Sequence, residues 1–480
     1  MKVLLVCPPA RDASVLPLGA AYIAGYLQRE GHSVEVLDLI VNSFSEEELE
    51  AKIKTFGKYD CIGISAIVTS YKFLKGFTKK IKSYFTHLPI IVSNAISIAC
   101  PRTLLEHSDV DIVVVDEGEL TAAELVRDIY EPAKFSNIKG IWYKENNRIY
   151  QTSPRERIEN LDLLPYPAWD LFEVKVYMQN SGAYLEHGLN TGWISAVRGC
   201  PFRCGYCSRG FGQKVTTRSA DSVIDEILEL KRKFKINHID MVDDLFMASK
   251  RFIQEFCTKL LERKIKISWS CAGRVNLVDE ELLRLMKEAG CLTVAYGIES
   301  GSQKILNNMN KSATVEQAER AIALVRKVGL KLGGTPYMFG YVGEDLNTIK
   351  ETIDFIQKMK LVNRKFFFST PYPNTPLYDW AKKNDRIKYD EDAYLSLLGN
   401  NAETFLVNLT DFPDEELLKL KNGSEYLLVK EMPLSVRISA LTARKNYIKA
   451  RMKSLGFSGS LKKILGKIIN KANHKYNKNS

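Results

Sequence analysis

The residues best suited to chemistry are three cysteines, Cys200, Cys204 and Cys207, in the run Arg198-Gly-Cys-Pro-Phe-Arg-Cys-Gly-Tyr-Cys207. Soft thiolates select iron–sulfur or zinc. Cluster ligation ordinarily takes four thiolates, and no fourth cysteine follows at ligand spacing. Three thiolates on one short loop hold three corners of a 4Fe–4S cube and leave the fourth iron open to a small molecule. A structural zinc site would also need a fourth ligand, and no His or Cys pair stands nearby at suitable spacing.

Five further fragments carry reactive side chains after short apolar runs. Met241-Val-Asp-Asp-Leu-Phe246 offers Asp243 and Asp244, which read either as site acids or as a helix N-cap pair. Ser270-Cys-Ala-Gly-Arg274 offers a guanidinium able to grip a carboxylate through two hydrogen bonds, while Cys271 reads as core. Tyr296-Gly-Ile-Glu-Ser-Gly-Ser302 offers Glu299 and Ser300, with Gly297 and Gly301 allowing close backbone approach, and continues to Lys311. Gly340-Tyr-Val-Gly-Glu344 is a glycine turn in which Glu344 reads as a cap on the next helix. Phe366-Phe-Phe-Ser-Thr-Pro-Tyr-Pro-Asn-Thr-Pro376 reads equally as a substrate wall or as a packed strand.

Two series of elements must position these groups. Strands are expected at 2–7, 33–39, 61–66, 89–94 and 111–116, with helices such as 18–30 and 70–85 between them. β-rich runs alternating with helices imply a parallel sheet covered on both faces, here a doubly wound, flavodoxin-like domain over 1–140. Residues 141–190 read as a hairpin turning at Asn146-Asn147 followed by a Pro-containing linker. A second βα series occupies 191–385, with strands at 193–198, 238–243, 267–272, 292–297, 331–340 and 364–371. Six βα units make a partial (βα)6 barrel whose reactive groups collect at the carboxyl ends of its strands. Residues 386–480 read as a mostly helical region with a basic tail. The expected fold class is therefore α/β.

The C-x3-C-x2-C spacing, with Tyr206 before the last cysteine, resembles the radical S-adenosylmethionine (SAM) superfamily. The Gly-Ile-Glu-Ser-Gly fragment resembles the branch with an N-terminal cobalamin-binding domain. The first domain is similar to that branch in Pro8-Pro9, Leu16-Pro-Leu-Gly, Gly31-His-Ser-Val-Glu-Val, Ile62-Gly-Ile-Ser65 and Val115-Asp-Glu-Gly-Glu119. The resemblance covers about residues 1–380. It implies a 4Fe–4S cluster on Cys200, Cys204 and Cys207. It implies a SAM site at Tyr206, Asp244, Arg274, Glu299, Ser300 and Gly340. It implies a cobalamin site at Pro9, Leu18, Ser65, Ser93 and Glu117. Two departures stand out. No Asp-x-His-x-x-Gly run supplies a lower cobalt ligand, and Ser93-Asn94 stands where the branch usually has Gly-Gly.

The activity so implied is methylation of an unactivated carbon, with a radical SAM cyclase or rearrangement enzyme as the alternative. A tRNA methylthiotransferase would need a second cluster on Cys7, Cys61 and Cys100. Cys7 ends one strand and Cys61 begins its neighbour, about 15 Å or more away. A cluster- or cobalamin-binding sensor would not need the strand-end residues Arg274, Glu299 and Ser300.

At 480 residues, with 45% apolar and 26% charged residues, the chain has the composition of a globular protein of two to four domains. It contains no run of 18 apolar residues. Nine cysteines, scattered apart from the triplet, suit a reducing cytoplasm. Residues 432–480 carry 12 Lys plus Arg and no Asp or Glu against a net charge of +11, so the body is close to neutral. Leu461, Ile464, Leu465, Ile468 and Ile469 stand at helical spacing beside lysines, a pattern suited either to an anionic membrane surface or to a solvated tail. Few aromatics accompany the tail, which disfavours nucleic acid. The expected partners are a small-molecule or lipid-linked substrate and an external electron donor such as flavodoxin or ferredoxin.

Overall fold

The computed structural model describes residues 1–10, 13–181, 189–362, 364–399 and 401–430. The basic tail lies outside the described residues. β1 (Lys2–Cys7), β2 (Ser33–Asp38), β3 (Cys61–Ser65), β4 (Ile90–Ser93) and β5 (Ile112–Val114) form a parallel sheet in the order 2-1-3-4-5. This is the flavodoxin-type order, whose ligand crevice opens at the carboxyl ends of β1 and β3. The hairpin β6 (Ile141–Glu145) and β7 (Arg148–Gln151) continues the same sheet antiparallel to β5. Asn146 and Asn147 both have positive φ, 48° and 59°, as a two-residue type I′ turn requires. The register sets Cys61 beside Val3, four residues from Cys7. That is about 13 Å along the strand, too far for one cluster.

Helices cover both faces. Leu18–Arg29 and Gly118–Arg127 close one face over Val3, Leu5, Ile91 and Val114. Tyr71–Tyr84 closes the other, in a core that continues into Ile305, Met309, Leu377 and Tyr394 of the second half. Lys75 reaches Asp392 across this contact at 2.6 Å.

The second half holds β8 (Thr191–Ile194), β11 (His238–Met241), β12 (Ser268–Gly273), β13 (Cys291–Tyr296) and β14 (Lys331–Leu332), all parallel. β15 (Thr335–Phe339) pairs with β16 (Arg364–Phe368). Two short strands, β9 (Val197–Arg198) and β10 (Thr216–Thr217), pair antiparallel and tie the neck of the cysteine loop. The single strand expected at 331–340 is two strands broken at Gly333-Gly334. A Cβ at Gly333 would lie 2.9 Å from Ala295 Cβ, so β13 leaves no room for a side chain there. The isolated bridge Glu299–Tyr337 rejoins the sheets beyond the break.

The helices follow from local signals. Val315–Val328 starts at a capping box of Thr314 with Gln317, stops at Gly329 in the left-handed region, and buries Ala318, Ala321, Ile322 and Val325. Pro376–Lys383, Glu391–Leu397 and Asp414–Lys430 make the region after the barrel helical. Among the described residues no helix is long and apolar enough to cross a membrane.

Candidate active site

The cysteine loop leaves β9 through Gly199, whose φ of +90° and tight approach to the Lys214 carbonyl exclude any side chain. The backbone then fixes its course. Cys200 N–H donates to Gly212 O at 3.1 Å, Gly205 N–H to Met309 O at 2.8 Å, and Cys207 N–H to Cys204 O at 3.2 Å. The three thiols lie within electrostatic reach of one another. Burial, and then the charges of Cys204 and Cys200, push the Cys207 thiol up to about 11. Among the described residues no three His, Cys, Asp or Glu side chains converge as on a single ion. A 4Fe–4S cube takes one thiolate on each of three irons, so its ligands stand apart. The donor set fits that group.

Arg274 lies against the cysteine loop, 7% exposed. Its Nη1 donates to Cys204 Sγ at 3.3 Å, its Nη2 donates to the Lys311 carbonyl, and its guanidinium lies 3.6 Å over the Phe202 ring. Lys311 is the residue that sequence reasoning passed over. It is 5% exposed, and its Nζ donates to Glu299 Oε1 at 2.9 Å and to Tyr206 Oη at 3.0 Å. Glu299 adopts φ +67°, a left-handed conformation uncommon outside glycine. Its backbone joins β15, with N–H to Pro336 O and its carbonyl accepting from Met338 N–H. Tyr206, Lys311, Glu299, Arg274 and the cysteines thus form one charged rim, buried at Arg274, Lys311, Glu299 and Cys204 and half-buried at Cys200, Tyr206 and Cys207.

Other expected residues stand elsewhere. Ser300 is 2% exposed and packs against helix Leu346–Lys358, its Oγ 3.1 Å from Thr352 Oγ1. Gly301 serves the same packing, since a Cβ there would lie 2.5 Å from Phe355 Cβ. Asp243 and Asp244 are not the N-cap of the next helix, which Ser249 caps. Asp243 Oδ1 accepts from Ala196 N–H and Val197 N–H at 2.7 Å, and burial lifts its carboxyl to about 7. Asp244 accepts from Gly199 N–H at 3.1 Å and so anchors the loop's first turn. Glu344 is not the helix cap either; Asp345 is. Glu344 is 7% exposed, accepts from Gly340 N–H at 2.5 Å, and is pushed up to about 8 by burial.

On the N-terminal domain an apolar slot opens between helices Leu18–Arg29 and Gly118–Arg127, over Gly63, Ser65, Ile91 and Ser93. A Cβ at Gly63 would lie 2.6 Å from Leu5 Cδ2 and one at Gly118 3.1 Å from Ile23 Cδ1. The cradle therefore depends on missing side chains, and its apolar lining suits the aromatic ring at the end of a cobalamin tail. Asn94 holds φ +81° and ψ −163°, a region that is essentially glycine's. Its side chain accepts from Ala95 N–H and donates to Ser65 Oγ at 3.1 Å. The backbone thus keeps a glycine's course at the position where the branch has glycine. Pro9 and Leu18 do not line the slot. Glu117 turns away from it. Its Oε1 accepts from Arg198 at 2.9 Å and its Oε2 from Ile158 N–H at 2.7 Å.

Comparison with known proteins accords with this geometry. Residues 194–356 match the radical SAM superfamily and residues 11–126 the B12 binding domain. A protein of Pyrococcus horikoshii named as an uncharacterized methyltransferase is 32% identical over 395 residues, covering 80% of this chain and 84% of its own. The anaerobic magnesium-protoporphyrin IX monomethyl ester cyclase of Rubrivivax gelatinosus is 28% identical, over 75% of this chain and 65% of its own. The fold is that of the cobalamin-dependent SAM radical enzyme OxsB, with a TM-score of 0.71 over 98% of this chain and 75% of that one at 18% identity. With its three-cysteine loop on a partial barrel and a glycine-floored slot beside it, the chain belongs to the radical SAM superfamily, in the branch that carries an N-terminal B12-binding domain.

Proposed function

We propose that the chain is a cobalamin-dependent radical SAM methyltransferase acting on an unactivated carbon of a small-molecule substrate. The observation that carries this reading is the pairing, within one chain, of the cysteine rim with the glycine-floored slot. When bound, the cluster and SAM supply a 5′-deoxyadenosyl radical and cobalamin supplies a carrier for the methyl group. Cys200, Cys204 and Cys207 hold the cluster, and Arg274 places positive charge against the Cys204 sulfur. Lys311 and Glu299, an ammonium and a carboxylate at the rim, are matched to the carboxylate and amino groups of SAM. Tyr206 orients Lys311, and the Gly340 turn, fixed by Glu344, borders the same rim. Gly63, Ser65 and Ser93 receive the cobalamin tail. An external one-electron donor of the flavodoxin or ferredoxin kind reduces the cluster, and the cytoplasm is the compartment in which the six cysteines outside the cluster loop persist as thiols.

A cyclase or rearrangement activity is the second reading, favoured by the likeness to the Rubrivivax cyclase. Analysis of SAM-derived products separates the two. S-adenosylhomocysteine alongside 5′-deoxyadenosine marks methyl transfer, and 5′-deoxyadenosine alone marks rearrangement.

The basic tail suits peripheral attachment to an anionic membrane and a lipid-linked substrate, each basic group near such a surface contributing about 1 kcal/mol. Full-length protein should co-sediment with phosphatidylserine vesicles at low salt and release as salt screens the contact. A chain ending at Glu431 should stay in the supernatant; equal partitioning of the two ends the lipid suggestion.

A further inference from the structure

The two cofactor regions are joined by a buried ion cluster. Arg198 is 4% exposed and stands two residues before Cys200. Its Nη1 meets Glu117 Oε1 at 2.9 Å and its Nη2 meets Glu119 Oε1 at 2.5 Å. Both carboxylates lie at the start of helix Gly118–Arg127, whose Gly118, Ala122 and Val126 wall the slot. Glu117 and Glu119 are each 4% exposed, so water does not screen the contact. The other slot helix is tied to the same place. Tyr22, on Leu18–Arg29, lies under the Arg198 guanidinium at 5.4 Å, and its hydroxyl donates to Ser195 O at 3.5 Å. Arg157 closes the far end of the cysteine loop, donating to Lys214 O at 2.7 Å and to Phe211 O, with its Nε 3.8 Å from Glu117.

We propose that Arg198, Glu117 and Glu119 form a positioning clamp that couples filling of the slot to the state of the cysteine loop. The clamp rests on the reading of the slot as a cobalamin site. An apolar tail entering between the two helices presses on the walls that carry Glu117, Glu119 and Tyr22. Because all three groups bear on Arg198, and Arg198 is joined to the first ligand through only Gly199, the loop responds. Conversely, a loop fixed by its cluster holds Arg198 still and presets the helix N-terminus. Coupling of this kind is reciprocal, because each ligand must change the other's affinity by the same factor. None of the three side chains touches the reacting atoms; they set the distance between two centres that must work in turn.

The test uses the full chain and hydroxocobalamin, by equilibrium titration with the cluster reconstituted and with it removed. The clamp predicts that the cluster tightens hydroxocobalamin binding by about 5-fold or more, the lower range of site-to-site coupling. It predicts that hydroxocobalamin slows iron loss to a chelator. Arg198→Lys, which keeps the charge but loses the two-carboxylate fork, and Glu119→Gln, which keeps the shape but loses the charge, should each bring the difference to within about 2-fold. Pulsed electron paramagnetic resonance between reduced cluster and cob(II)alamin should show a broader distance distribution in both variants. Equal affinity with and without the cluster in the wild-type chain overturns the clamp, as does full coupling in both variants. Absence of any hydroxocobalamin binding overturns the cobalamin reading itself, a different result from binding without coupling.

Discussion

The slot and the rim are built on opposite principles. The slot is made by leaving side chains out: Gly63 and Gly118 supply space and apolar neighbours supply walls. The rim is made by forcing charge in: Arg274 and Lys311, 7% and 5% exposed, sit beside thiols and Glu299. A slot of absent atoms tolerates small changes until something fills it. A rim of buried charges fails when one partner goes, because the remaining charge is left unpaired in a poorly solvating medium. The lesson is that the two halves should break differently under mutation.

The largest effect should come from the rim. Replacing Cys200, Cys204 and Cys207 together with Ala should abolish iron–sulfur absorbance and SAM cleavage; about four irons per chain retained in that variant would refute the assignment. Lys311→Met should come next. It strands Glu299 and should destabilise the chain by about 3–5 kcal/mol in denaturant unfolding, with loss of SAM cleavage. A cost under about 1 kcal/mol would show that Lys311 is not part of the buried pair.

The slot should respond through binding alone. Ala122→Leu fills space between the helices and should weaken hydroxocobalamin by about 10-fold, a change near 1.4 kcal/mol, while cluster content holds. Equal loss of cluster would blur the distinction between the halves.

A subtler contrast is in pH. Glu344, near the rim, has a folded-state pKa of about 8 against 4.5 when exposed. Between those values the folded chain holds a proton that the unfolded chain has lost, so this group's contribution to stability falls as pH rises from about 4.5 through 8. Thermal midpoints should fall over that window, and Glu344→Gln should flatten the fall. The smallest effect belongs to Asn94, which neighbours the slot without lining it: Asn94→Gly trades backbone strain for two lost hydrogen bonds, and should shift stability by about 1 kcal/mol or less without weakening hydroxocobalamin.

The same contrast governs what the sequence makes legible. The β-rich runs alternating with helices and the cysteine spacing are local, and they correspond to the parallel sheets and to the loop that leaves β9. The Asn146-Asn147 turn is visible because only a few residue types accept positive φ at two successive positions. The buried charges of the clamp and the rim are less local. Arg198 and Glu119 are 79 positions apart, and nothing in either neighbourhood announces their pairing. Lys311 reads as one more exposed lysine until its burial is known. Ser300, assigned with Glu299 to the SAM site by resemblance, meets Thr352, 52 positions away, and nothing in its neighbourhood announces that contact. Glu344 fails as a cap by one residue, since Asp345 occupies the position that reaches Thr348 N–H.

The central claim is that one chain unites a SAM-cleaving cluster with a methyl-carrying cobalamin. Its most direct test is anaerobic reconstitution with iron, sulfide and hydroxocobalamin, followed by reduction, addition of SAM and mass analysis of the SAM-derived products. The account predicts 5′-deoxyadenosine together with S-adenosylhomocysteine, the latter only when cobalamin is present. 5′-Deoxyadenosine without S-adenosylhomocysteine, whether or not cobalamin is bound, would contradict it.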